Sequence, residues 1–140
     1  MIPLRLVVDT NILVSAALKP DGLQRTVLVL AMTKPARLYV THPILAEYRE
    51  VLARPEFKIR RGLRQQFLQL IKNRAQMVHT ARELHITKDP DDNRLLDCAD
   101  AARADYLITG NPRHFPEFWK QTKVISSREF ISIVAPHFIS

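Results

Sequence analysis

Residues 7–16 read "VVDTNILVSA". An apolar run ends in Asp9, Thr10 and Asn11, and a second apolar stretch follows at once. An acid directly after a strand-like run sits where burial costs most. Asp, Thr and Asn are also ordinary helix caps, and a helix starts here. A cap needs one such residue, however, and three are present. Whether Asp9 is a cap or a functional acid is decided by the rest of the chain.

Around this stretch, "LRLVVD" (4–9) reads as a short buried strand and "ILVSAAL" (12–18) as a helix. A turn at "KPDG" (19–22) leads to a second helix, "LQRTVLVLAM" (23–32). "ARLYVT" (36–41) is the next strand. Thr41 and Pro43 then open a helix that runs to about Ala53, before Pro55. "LRQQFLQLIKNR" (63–74) is amphipathic, with Leu63, Phe67, Leu70 and Ile71 on one stripe. A short strand at 75–80, a capped helix at 89–104, strands at 105–110 and 123–126 and a last helix at 128–134 complete the chain. Strands alternating with helices predict an α/β fold, a three-layer α/β/α sandwich around a parallel sheet. With 140 residues and no repeat or linker, one domain over 1–140 is expected.

In such sheets sites gather beyond the carboxyl ends of the strands. Asp9 ends the first strand, Thr41 the second, and Thr109, Gly110 and Asn111 the fourth. A helix turns about 100° per residue. On the helix after Pro43, the apolar stripe is Ile44, Leu45, Tyr48, Val51 and Leu52; Glu47 borders it and Glu50 points away. On 91–103 the stripe is Leu95, Leu96, Cys98, Ala99 and Ala102. Asp92 falls within about 50° of its centre, whereas Asp97 and Asp100 are expected on the solvent side. Asp89 reads as the N-cap and Asp91 as a first-turn acid favoured by the helix dipole. Three inward acids, Asp9, Glu47 and Asp92, thus come from three elements that open on one edge. The histidines lack zinc-ligand spacing. Acids without cysteine or histidine suit a hard cation, Mg²⁺ or Mn²⁺.

At this point the chain resembles the PIN-domain ribonucleases, and more narrowly the VapC-like toxins of prokaryotic toxin–antitoxin pairs. The resemblance rests on "VVDTNILVSA", on "THPILAEYREVLARPEF" (41–57), on "DPDDNRLLDCADAARADYLITGN" (89–111) with "PRHFP" after it, and on "VISSREFI" (124–131). It implies metal-dependent cleavage of single-stranded RNA, a small antitoxin partner and a homodimer. The family's acids carry over to Asp9, Glu47 and Asp92, and its supporting polar residues to Asn11 and Ser15. One position departs. Relatives often place a fourth acid where this chain has Asn111, which leaves three carboxylates and implies a weaker site.

The expected reaction is phosphodiester hydrolysis. Asp9 and Asp92 are expected to hold the metal directly, Glu47 to hold it through water or to position the nucleophile, and Asn111 to orient a water. Thr10 and Asn11 fix Asp9 or contact a phosphate, and Thr10 has a simple capping role as its alternative.

Charge is segregated. The formal net charge is +7 and the pI about 10.0, which favours a polyanionic partner. Residues 49–74 hold eight Lys or Arg against two Glu, and residues 89–105 hold six Asp against two Arg. Arg54, Lys58, Arg60, Arg61 and Arg64 are candidate phosphate contacts, or a seat for an acidic segment of a protein inhibitor. Arg113 and His114 follow Asn111 and could reach RNA. The alternative reading is a PIN-like module that binds RNA or a partner without cutting. A small-molecule phosphatase is a third, disfavoured by the lack of a glycine-rich phosphate loop. The single cysteine, Cys98, reads as a small core residue and excludes an internal disulfide, which points to a reducing, cytoplasmic setting. The N-terminus meets an acid too early for a signal peptide, and no stretch approaches the roughly 20 apolar residues of a membrane span.

Overall fold

The computed structural model describes residues 4–80 and 87–135, so the outer limits of the expected 1–140 domain lie outside the described residues. β1 (Leu4–Val8) leads through α1 (Thr10–Leu18) and α2 (Leu23–Ala31) to β2 (Ala36–Val40). Next come α3 (His42–Leu52), α4 (Arg61–Arg74) and the two-residue β3 (Gln76–Met77). α5 (Pro90–Ala102), β4 (Tyr106–Ile108), the hairpin of β5 (Phe118–Trp119) and β6 (Thr122–Ile125), and α6 (Ser127–Val134) follow. Single 3₁₀ turns stand at Pro55–Phe57 and Pro112–His114.

Among the described residues six strands form one sheet in the order β3-β2-β1-β4-β6-β5. β1 lies at its centre, parallel to β2 and β4. Leu6, Val7 and Val8 are all fully buried. A strand covered on both faces reads as an unbroken apolar run, and that is why the opening stretch announces a layered α/β fold. The molecule is a three-layer α/β/α sandwich, with α5 packed on β1, β2 and β4. No helix among the described residues is long and apolar enough to cross a membrane.

Three local expectations are corrected. The sheet is not wholly parallel, because β5 runs antiparallel to β6. The two are joined by Lys120–Gln121, with Lys120 at φ 54°. That pair lacks the Asn-Gly or Asp-Gly signal that marks a tight hairpin. On α4 only Ile71 is fully buried, while Leu63 and Leu70 are 55% and 40% exposed. The α4 stripe is therefore split: Ile71 reaches the core, with Phe67 packed against it, while Leu63, Phe67 and Leu70 line an open groove.

Asp97 is the third correction: it is buried, at 7% exposure, and not on the solvent side. α5 packs against three strands and α3, so its buried surface is wider than one stripe. Thr87 also wraps the side of α5 that carries Asn93, one turn before Asp97, and its amide donates to Asn93 Oδ1 at 2.8 Å. Asp100, by contrast, is only partly covered and pairs with Lys120 Nζ at 2.9 Å.

Candidate active site: an acidic cleft at the carboxyl edge of the sheet

From β1 the chain first builds β2 and β3 on one side and then returns to place β4 on the other. The carboxyl ends of β1 and β4 therefore flank a topological switch point, where open α/β sheets leave a crevice. Asp9 and Thr109 are the residues that follow those two strands.

Asp9 occupies the cap position of α1, yet its side chain makes no capping hydrogen bond. Its amide donates to the Ile108 carbonyl at 2.9 Å, which continues the β1–β4 ladder by one residue. Its carboxylate accepts from Thr109 Oγ1 at 2.7 Å. Asp9 is 8% exposed, and burial pushes its carboxyl above the ordinary range. The Thr109 hydroxyl and the nearby amides of Asn11 and Thr10 oppose that shift, and Asp89 adds to it. The Asp9 carboxylate is thus held from the end of β4 and not by a cap bond to α1.

α3 begins with Thr41 at its N-cap, whose hydroxyl accepts from the Ile44 amide at 3.3 Å, and with Pro43 in its first turn. This fixes the helix phase. Glu47 lies half-buried at the rim, as the helical geometry indicates, and Glu50 is exposed. Thr10 Oγ1 donates a short hydrogen bond to Glu47 Oε2. Burial raises the Glu47 carboxyl to about 7, against the opposing Thr10 bond, and the charge and hydrogen bonding of Asp91 and the charge of Asp9 add to the rise.

α5 is capped by Asp89, whose Oδ1 accepts from the Asp91 amide at 2.9 Å. Asp92, in the same first turn, is half-buried, and its carboxyl is raised to about 6. Burial is again the main cause, followed by Asp89 and Asp9, with His114 opposing. Asp91 pairs with Arg94 at 2.6 Å on the exposed side, a bond of small worth.

These side chains enclose a polar cleft of about 160 Å³ that holds Asp9, Glu47, Asp89, Asp91 and Asp92, with Arg54 on its wall. The three acids singled out in the sequence are therefore brought together. Asp89 and Asp91 act as cap and first-turn acid as expected, but they also face the cleft, a role that helix-end signals hide. Thr10 and Asn11 line it too. Ser15 is half-buried on α1 and is not among the lining residues. Asn111 is exposed outside the lining; its amide donates to Thr109 Oγ1 at 3.1 Å, so the residue touches Asp9 only through Thr109. Thr109, fully buried, is the site residue that sequence reasoning read only as a strand end.

The basic candidates separate. Arg54 reaches the cleft, and Lys58, Arg60 and Arg61 are exposed between α3 and the start of α4. Arg113 is exposed on the turn after Asn111. Arg64 instead lies half-buried in a groove of about 280 Å³, against Leu52, Leu63 and Phe67. Its Nε is buried without a partner.

Among the described residues no three His, Cys, Asp or Glu side chains form a ready-made metal cage. The donor set nonetheless fits a hard cation. It is all oxygen, and its carboxyls are raised by burial first and by one another's charge second, both of which a cation offsets. Mg²⁺ in particular needs only one or two carboxylates and keeps several waters.

No curated protein matches the chain significantly. Among solved structures it is similar to a chain in the crystal structure of VapBC2 from Rickettsia felis bound to a DNA fragment from their promoter. The TM-score is 0.60 at 17% identity, over 88% of this chain and 98% of that one. Residues 5–113 match the PIN domain. That span runs from β1 through the turn after β4 and contains every acid of the cleft, and so this chain belongs to the PIN-domain family.

Proposed function

We propose that this protein is an Mg²⁺- or Mn²⁺-dependent endoribonuclease acting on single-stranded RNA, and the toxin of a toxin–antitoxin pair. One observation carries the reading: five carboxyl groups crowd a single cleft at the switch point, and two of them, Glu47 and Asp92, are raised to about 7 and about 6. Acids perturbed by burial and by one another, gathered in one cleft, are a feature of functional sites and support the reading.

A bound cation supplies charge neutralisation at the phosphate and acidifies a water. Asp9 and Asp92 are the residues that would hold it. Glu47, bonded to Thr10 at the rim of the cleft, positions the attacking water and accepts its proton. The Thr109 hydroxyl keeps Asp9 in one orientation. Asn111, exposed just outside the lining and bonded to Thr109, orients a further water. Arg54 bridges from the acids to the exposed Lys58, Arg60 and Arg61, so a phosphate chain drawn along these cations passes over the cleft.

The structural likeness to a chain from a VapBC complex supports an antitoxin partner. The groove of Leu52, Leu63 and Phe67, with Arg25 and Arg64 in its walls, offers apolar and cationic contacts of the kind an acidic, amphipathic inhibitor segment needs.

The test is cleavage of a mixed single-stranded RNA pool with Mn²⁺, with Mg²⁺ and with chelator, for wild type and Asp9→Asn. Cleavage should require the metal and vanish in the variant. RNA binding without cleavage under any divalent ion would replace the nuclease with a binding module.

A further inference from the structure

We infer that Tyr48 is a positioning residue that sets the distance between Glu47 and Asp9; the inference rests on the nuclease reading above. Tyr48 is 1% exposed, and its hydroxyl donates to the Val8 carbonyl at 2.7 Å. Its neighbour Glu47 accepts from Thr10. Two consecutive residues of α3 thus grip the two residues that flank Asp9, one on each side.

The strand geometry explains why the Val8 carbonyl is available. The registered pairing of β1 with β2 stops at Leu6–Leu38, while pairing with β4 continues to Val8–Ile108. The Asp9 amide points to β4, so the Val8 peptide groups face the β2 side, because successive residues of a strand alternate direction. There β2 ends at Val40, level with Val8, and Thr41 already caps α3. A buried carbonyl past the end of its ladder needs a donor. The Tyr48 hydroxyl supplies it, where a phenylalanine would fill the same space and leave the carbonyl bare.

The consequence is specific to catalysis. α3 carries Glu47 and is not hydrogen-bonded to β1 as a strand would be. Without the Tyr48 hydroxyl, the hydrogen bonding that ties Glu47 and its neighbour to the residues beside Asp9 is, among the described residues, reduced to the Thr10 side chain, which can rotate, and packing alone sets the rest of the distance. A shift of about 1 Å between catalytic groups costs up to about 100-fold in rate. RNA affinity resides in exposed cations that the shift leaves in place.

The experiment compares Tyr48→Phe with Thr122→Val. Thr122 Oγ1 makes an equivalent buried bond, to the Ala104 carbonyl at 2.6 Å, but at the opposite end of the sheet. Both variants should melt lower. Tyr48→Phe should also lose about 10- to 100-fold in kcat on single-stranded RNA with KM within about twofold, while Thr122→Val keeps wild-type kcat. Wild-type kcat in Tyr48→Phe, or equal losses in the two variants, overturns the proposal.

Amide hydrogen exchange gives a readout independent of activity. The Asp9, Ile12 and Leu13 amides, bonded to the Ile108 and Asp9 carbonyls, should exchange about tenfold faster in Tyr48→Phe relative to β6, and not in Thr122→Val. If wild type cuts no RNA, the nuclease reading fails, and exchange alone decides. Unchanged or uniform exchange then overturns the role of Tyr48.

Discussion

Replacing Glu47 by glutamine should stabilise the metal-free protein at high pH and leave it unchanged at low pH. Glutamine has the shape of the protonated acid. It can still accept from Thr10, and it carries no charge toward Asp9 and Asp91. The folded-state carboxyl stands at about 7 against 4.5 for the free group. The fold therefore holds this proton more tightly than the unfolded chain does. Below about pH 4.5 both states are protonated and the carboxyl costs nothing. As pH rises toward 7 the unfolded state ionises first, and stability is lost across that window. Taken in full, the shift corresponds to about 3.4 kcal/mol at about 1.36 kcal/mol per pH unit. Glu47 is only half-buried, and screening by solvent reduces this to about 1–1.5 kcal/mol. For a domain of this size that is about 3–5 °C in melting temperature. Thermal melts in metal-free buffer from pH 4.5 to 8.5 read the difference directly. Glutamine should melt with wild type at the acid end and above it at the alkaline end. Added Mn²⁺ should then raise wild type more than the variant, by mass action on the folded state. A gap of equal size at both ends of the pH range, or a variant that melts lower at pH 8, would refute the electrostatic account of the cleft.

Asp92→Asn should abolish RNA cleavage while the domain stays folded, and Asp100→Asn, whose carboxylate pairs with Lys120 at the surface, should cleave as wild type; a gel assay on both separates the cleft from the rest of α5. The combined Arg60→Ala and Arg61→Ala variant should flatten the salt dependence of RNA binding by about 1.4 in slope, about 0.7 per phosphate contact. Thr109→Val should lower stability by roughly 1–3 kcal/mol in denaturant melts and reduce cleavage, because the buried Asp9 carboxylate loses its hydroxyl donor.

Much of this arrangement was legible in the residues. The unbroken apolar run before Asp9 reflects a central strand buried on both faces, and helical phase identified Glu47 and Asp92 because α3 and the first turn of α5 are regular. The same phase argument failed at Asp97, where neighbouring chain covers a helix side that an isolated helix would expose. Asp89 and Asp91 were masked by a correct local explanation: a cap satisfies its helix and can still face a cleft. Thr109 was beyond reach for a different reason. Its bond to Asp9 depends on β4 lying beside β1 in one register, Val8 opposite Ile108, and no local pattern encodes that pairing. The β5–β6 hairpin lacks turn residues with a strong signal, and the α4 stripe has the period of a core helix although most of it lines a groove.

The bond between Thr109 and Asp9 joins residues 100 positions apart. During vectorial synthesis the first acid emerges early and its buried partner late. Until β4 pairs with β1, Asp9 ends an edge strand and lacks its Thr109 partner. Neither an unfinished chain nor a fragment cut between α3 and α5 can assemble the cleft, because α5 alone contributes Asp89, Asp91 and Asp92. The non-local contacts that make such a topology slow to fold also act as a safeguard, keeping the site from existing before the whole sheet does.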